Sequence, residues 1–102
     1  MRTKVRAKLN WIPFEQGGRK TIIIGEKLKY CPIIKYDNED LAKEAWSVFI
    51  DSSMLSGNNV TYITLTYFSD EAPFEKLQVG KEFALFEGRK LVAKGIITDR
   101  IS

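Results

Sequence analysis

Histidine is absent from this 102-residue chain, and cysteine occurs once, as Cys31. Zinc and iron–sulfur sites, disulfide frameworks, Ser-His-Asp triads and Cys-His dyads need one or both of these residue types. We therefore expect no metal, no cofactor and no enzymatic activity. The single cysteine is typical of a small apolar residue in a reducing compartment. A binding function is favoured before any motif is considered.

Long apolar runs are also missing, since none approaches the roughly 18 to 20 residues of a membrane span. The first six residues alternate charged and apolar side chains, unlike the apolar core of a signal peptide. We expect a cytoplasmic protein with no membrane partner. Its length fits one domain covering residues 1–102, and 44% hydrophobic residues suffice for a core. The net charge of +3 permits a nucleic acid or an acidic protein as partner.

Period-two alternation dominates the chain and predicts β-strands. Residues 3–12 alternate apolar and charged side chains until Pro13, which cannot donate to a ladder. Residues 20–24 are rich in β-branched side chains, and we expect them to pair with the first strand. Further strands are predicted at 30–34 (interrupted by Pro32), 46–50, 60–68, 82–87 and 91–101. Gly95 in the last strand predicts a bulge or a close approach of backbones.

One short helix near 39–45 is predicted, because acidic residues that suit a helix start precede a small apolar face. Six or seven short strands separated by turns indicate an all-β protein, either a barrel or a sandwich.

Four segments, in order, are similar to one known domain. They read Glu-Gln-Gly-Gly-Arg-Lys-Thr at 15–21, Gly-Asn-Asn-Val-Thr at 57–61, Phe-Ala-Leu-Phe-Glu-Gly at 83–88 and Val-Ala-Lys-Gly-Ile-Ile-Thr at 92–98. Their order and spacing resemble the C-terminal (third) domain of bacterial elongation factor Tu. The resemblance covers residues 3–25 and 52–101, and it implies a small closed antiparallel β-barrel, here as a stand-alone domain.

Departures from that family weaken the functional part of the resemblance. The GTPase domain and its Gly-x-x-x-x-Gly-Lys-Ser/Thr loop are missing, so the chain alone is not expected to hydrolyse GTP. The family's tRNA-contacting Gly-Tyr-Arg-Pro-Gln-Phe corresponds to Gly-Glu-Lys-Leu-Lys-Tyr at 25–30, without the Arg-Pro-Gln core. Arg89 replaces a glycine of the closing turn, which predicts a changed turn. The resemblance implies the fold much more strongly than tRNA delivery.

Two basic sets are candidate contacts for RNA or for a protein partner. The first is a stripe on one face of the first strand: Arg2, Lys4, Arg6 and Lys8. The second belongs to glycine turns: Arg19, Glu87, Gly88, Arg89 and Lys90. Side chains two apart on a strand are about 7 Å apart, comparable with phosphate spacing. A solvated strand face and ordinary hairpin ends explain the same residues, and no aromatic residue interleaves within the stripe.

Four phenylalanines could form an apolar patch for a partner: Phe14, Phe49, Phe68 and Phe74. The first and last lie in predicted loops, and the other two lie on strand faces opposite the expected core. The segment 35–50 could cover them instead, and so could a second copy of the chain.

These observations favour a non-enzymatic cytoplasmic module that acts through protein–protein contact. A link to the translation machinery, as a mimic or an immunity-type protein, is one form suggested by the resemblance. The alternative is binding of structured, tRNA-like RNA through the basic strand and the glycine turns.

Overall fold

A computed structural model describes residues 3–36 and 45–101 of the chain. These residues form seven β-strands and two three-residue 3-10 helices, Phe14–Gln16 and Phe74–Lys76. The strands are β1 Val5–Trp11, β2 Gly25–Tyr30, β3 Ile33–Tyr36, β4 Trp46–Gly57, β5 Val60–Tyr67, β6 Glu82–Glu87 and β7 Lys90–Arg100. No helix within the described ranges is long and apolar enough to cross a membrane.

The seven strands form one antiparallel sheet whose hydrogen bonding closes on itself. The ring runs β4–β3–β6–β7–β1–β5 and returns to β4, because β4 also pairs with β5. β2 and β3 pair with successive parts of the same edge of β4, on either side of Pro32. The expected all-β fold is confirmed, and its closed ring is barrel-like.

Alternation along the strands supplies the core, as the sequence predicts. Every second residue of β1, from Val5 to Trp11, is buried, and β5 and β6 follow the same rule. The fully buried core residues include Val5, Leu9, Ile34, Val48, Ile50, Ile63, Leu65, Tyr67, Leu85, Val92 and Ile97. The outward positions of the same strands therefore form the surface on which a partner would bind.

Gly95 is required where β1 and β7 meet. A Cβ atom at Gly95 would lie 2.6 Å from Leu9 Cδ2 and 2.8 Å from the Lys8 carbonyl oxygen. The predicted close approach is confirmed, whereas the register shift between β1 and β7 lies elsewhere, between Arg6 and Ala7. This contact fixes the strand that carries the basic stripe.

The strand predicted at 20–24 is wrong. Both edges of β1 are occupied, by β5 and β7, so no edge is left to pair with this β-branched segment. Instead Ile22 and Ile23 pack against the core from a loop, and the next strand begins at Gly25. The helix predicted near 39–45 falls almost wholly on residues 37–44, outside the described residues.

The turn between β6 and β7 accommodates arginine. Gly88 has a φ of 63°, whereas Arg89, the other residue of this two-residue turn, does not have positive φ. Glycine at the first central position alone is the pattern of a type II′ hairpin turn. The side chain of Arg89 therefore adds no backbone strain.

Candidate functional site

The basic stripe occupies the outward face of β1. Lys4, which immediately precedes the strand, is followed by Arg6 and Lys8, and the residues between them point into the core. Arg2 lies outside the described residues. β1 is flanked by β5 and β7, so the chemistry of this face depends on outward side chains of those strands.

Lys4 is committed to an ion pair within the protein. Its Nζ lies 2.5 Å from Asp51 Oδ2 on β4, and the Thr64 hydroxyl donates a hydrogen bond to the same carboxylate. Partial burial raises the pKa of Asp51, but the bonds from Lys4 and Thr64 outweigh it and hold the pKa below its usual value. Lys4 therefore contributes little positive charge to a ligand.

Arg6 and Lys8 remain available. The Arg6 guanidinium lies 3.9 Å from the Asp99 carboxylate, and both side chains are more than half exposed, so solvent screens the pair. Within residues 3–36 and 45–101, Lys8 forms no ion pair. Among the stripe residues that the structure describes, the positive charge that no close carboxylate compensates thus lies at Arg6 and Lys8.

Two exposed apolar side chains extend this face across the neighbouring strands. Tyr62 of β5 lies directly opposite Lys8, and Met54 of β4 lies directly opposite Tyr62. The exposed fraction is 41% for Tyr62 and 52% for Met54. Ile24, also exposed, precedes Gly25, the partner of Ser53, and so lies beside Met54.

These residues surround a shallow depression of about 220 Å³. Its lining residues are Arg6, Ser52, Met54, Tyr62, Ile63 and Thr64. Hydroxyl groups of Ser52 and Thr64 bond to each other at 2.9 Å. We call the outward surface of β1, β5 and β4 around this depression the β1 face.

Sequence reasoning identified the cations of the β1 face but not its apolar part. Tyr62 and Met54 occupy outward strand positions at which polar side chains are common. Apolar residues at such positions are the sequence signal that could have indicated a binding surface. The expectation that no aromatic residue interleaves with the stripe holds along β1 alone. Pairing with β5 places Tyr62 opposite Lys8, and only the tertiary register makes these two residues neighbours.

The second basic set is brought together at one end of the barrel. Arg19 forms an ion pair with Glu87, although the two residues are 68 positions apart in sequence. The Tyr30 hydroxyl donates to the same carboxylate at 2.6 Å, and the Arg19 guanidinium lies 5.6 Å from the centre of the Tyr30 ring. We call these three residues the turn cluster.

Charges within the turn cluster stabilise one another. Partial burial raises the pKa of Glu87, but bonds from Tyr30 and Arg19 outweigh it and leave the pKa below its usual value. Burial, and then the hydrogen bond to Glu87, raises the pKa of Tyr30 well above its usual value. Tyr30 is therefore a neutral donor, Glu87 a charged acceptor, and the cluster ties the loop after β1 to β2 and β6.

Only part of the second basic set is accessible to a ligand. Arg19 and Glu87 bind each other, whereas Gly88, Arg89 and Lys90 are exposed at the tip of the β6–β7 hairpin. The cations that a ligand can reach at this end come from the tip rather than from Arg19.

The four phenylalanines do not lie together. Phe14, 59% exposed, lines a depression near Asn59, just before the start of β5. Phe68, 60% exposed, follows the end of β5, and an extended strand from Asn59 to Phe68 is about 30 Å long. Phe49 is half-buried on β4, and its partner Thr66 places it diagonally across from Phe68. Phe74 packs against the core, with its ring 5.4 Å from that of Tyr67.

Chemically, the β1 face offers cations and apolar surface. No three His, Cys, Asp or Glu side chains come together as metal ligands in the part of the chain that the structure describes.

No protein-family model matches the chain, and no curated protein matches it in sequence.

Proposed function

We propose that this protein is a non-catalytic, cytoplasmic binding module that recognises another protein through its β1 face. The observation that carries the proposal is the direct pairing of two exposed apolar side chains, Tyr62 and Met54, beside Arg6 and Lys8. Protein interfaces are rich in Tyr, Met and Arg at their centres. A solvated strand face needs none of these apolar groups.

The charges of this face favour protein over nucleic acid. The three cations Lys4, Arg6 and Lys8 are accompanied by two carboxylates, Asp51 on β4 and Asp99 on the flanking strand β7, so these five residues carry one net positive charge. A phosphate backbone would approach both carboxylates as well as the cations, and nucleic-acid affinity depends on the number of phosphates neutralised. A protein surface can instead match both signs.

RNA binding remains the second candidate, favoured by the placement of one tyrosine and one lysine on neighbouring strands. Tyr62 lies beside Lys8, and an exposed aromatic ring next to a cation is a platform on which an unpaired base can stack. Arg89 and Lys90 at the hairpin tip would add further phosphate contacts.

A link to translation rests on the sequence resemblance to the third domain of elongation factor Tu. We infer from it that a partner in the translation machinery, or a toxin directed at it, is the first class to examine. The barrel-like fold supports this inference only as a scaffold, because one fold serves many functions.

The proposal is tested by co-purification from nuclease-treated lysate, with the protein tagged at either end. A stoichiometric protein partner is expected with the wild type and is lost in the double variant Tyr62→Ser/Met54→Ser. The variant Phe14→Ser, which removes an apolar group that is exposed elsewhere on the protein, is the control and keeps the partner. Unfolding temperatures of all three proteins verify that each is folded.

Two results would reject protein binding at this face. One is the absence of any stoichiometric protein with either tag, and the other is a partner retained by the double variant. RNA recovered from an untreated sample, lost in Lys8→Glu and at raised salt, would support the second candidate instead.

A further inference from the structure

Resting on the proposed function, we propose that the partner's contact is an acidic segment: one carboxylate bound between Arg6 and Lys8, and one bulky apolar side chain seated in the depression against Met54 and Tyr62. The charges, the depression and the positions of the hydroxyl groups each point to this chemistry.

The available charge on the β1 face is positive and localised. Asp51 compensates Lys4 at 2.5 Å, Asp99 approaches Arg6 only to 3.9 Å, and Lys8 forms no ion pair within the described ranges. Alternate outward residues of a strand are about 7 Å apart, so one carboxylate can approach both Arg6 and Lys8. A neutral partner would leave Arg6 and Lys8 without a counter-charge.

The same charges argue against a second copy of this chain as the occupant. Two β1 faces brought together would place Arg6 and Lys8 of one copy near the same cations of the other, and like charges across an interface oppose association. An acidic partner encounters no such repulsion.

The depression is selective because two of its hydroxyl groups are already bonded within the protein. Thr64 donates to Asp51, and Ser52 bonds to Thr64 at 2.9 Å. What remains for a ligand is the apolar surface of Met54 and of the Tyr62 ring, together with the Tyr62 hydroxyl and Arg6. A partner segment that carries an apolar side chain beside a carboxylate matches both the apolar surface and the cations.

The probe is a phage-displayed library of random 12-residue peptides, panned against the wild-type protein at physiological salt. Enriched peptides are expected to carry Asp or Glu within a few positions of a bulky apolar residue. Their synthetic forms should lose about tenfold or more in affinity with Lys8→Glu. Lys29→Glu, the same charge change at an exposed site on β2, should leave affinity unchanged.

Charge reversal tests the contact directly. A selected peptide whose acidic residue is replaced by Lys should bind the Lys8→Glu protein better than it binds the wild type. Replacement of its apolar residue by Ser should weaken binding to both proteins.

Three other outcomes would contradict the proposed acidic contact. Peptides that lose binding with Tyr62→Ser/Met54→Ser but carry no acidic residue would overturn the acidic contact while leaving protein binding at the β1 face intact. Peptides indifferent to both variants, or no enrichment at all, would overturn the acidic contact and weaken the proposed function. Enrichment of basic peptides would overturn the charge argument.

Discussion

The turn cluster and the β1 face contain the same kinds of residue but use them differently. In the turn cluster, Arg19 pairs with Glu87, and Tyr30 donates to the same carboxylate at 2.6 Å. On the β1 face, exposed Tyr62 lies opposite half-buried Lys8, and no carboxylate of the described residues pairs with that lysine. The turn cluster binds its cation and its tyrosine within the fold, whereas no carboxylate of the described residues binds Lys8 or Tyr62.

This contrast shows that the availability of a charged side chain depends on its spatial neighbours rather than on local sequence. Arg19 follows two glycines in an apparent surface turn, yet its side chain is only 27% exposed and is bound to β6. Lys8 stands within an ordinary alternating strand and remains open. Four measurements test this contrast, beginning with the largest expected effect.

Gly95→Val should destabilise the scaffold that holds the β1 face. The new side chain would collide with the Lys8 carbonyl group and with Leu9, so we expect a loss of about 3 kcal/mol or more in the free energy of unfolding. Urea denaturation measures the loss. Lys94→Ala, at the exposed neighbouring position, is the control; equal stability of the two variants would contradict the close contact between β1 and β7.

Glu87→Ala should show that the turn cluster is structural. It leaves Arg19 and Tyr30 without their shared acceptor, and we expect a loss of about 2 kcal/mol. The control is Glu82→Ala, an exposed carboxylate on the same strand, which should change stability by less than about 0.5 kcal/mol. If both variants unfold at the same urea concentration, the cluster does not stabilise the fold.

Acidification should weaken the protein through Asp51 and Glu87. Both pKa values are lowered in the folded protein, so the unfolded chain binds more protons and stability falls as pH drops through the range of about 5 to 3. The double variant Asp51→Asn/Glu87→Gln should show a shallower fall in urea titrations across that range. A slope equal to that of the wild type would mean that other groups dominate.

Lys4→Ala and Lys8→Ala should differ slightly in their effect on the free energy of unfolding. Lys4→Ala removes the partner of Asp51 and should cost up to about 1 kcal/mol. Lys8→Ala should stay within about 0.5 kcal/mol of the wild type. If Lys8→Ala proves the more costly variant, Lys8 has a structural role that its surroundings do not indicate.

Sequence reasoning succeeded for strands whose alternation is strong and failed where pairing partners decide. The inward residues of β1, β5 and β6 follow directly from period two. The β-branched segment 20–24 has the composition of a strand but remains a loop, because β5 and β7 already occupy both edges of β1. Composition expresses a preference for a strand but cannot supply a free edge.

The candidate site shows the same division. The stripe of Arg2, Lys4, Arg6 and Lys8 could be predicted from spacing alone. The sequence could not show that Lys4 is held in a close ion pair while Arg6 and Lys8 are not, because Asp51 and Asp99 belong to other strands. Phe14 and Phe68 were grouped by exposure, yet the length of β5 separates them.

An all-β protein with a buried and an exposed side to each strand follows from the sequence alone, because alternation along the chain is a local property. Which outward residues meet depends instead on how the strands pair. Tyr62 and Met54 reach the basic stripe through the register of β1, β5 and β4. Register arises from the closure of the whole ring, and no single segment of the chain contains it.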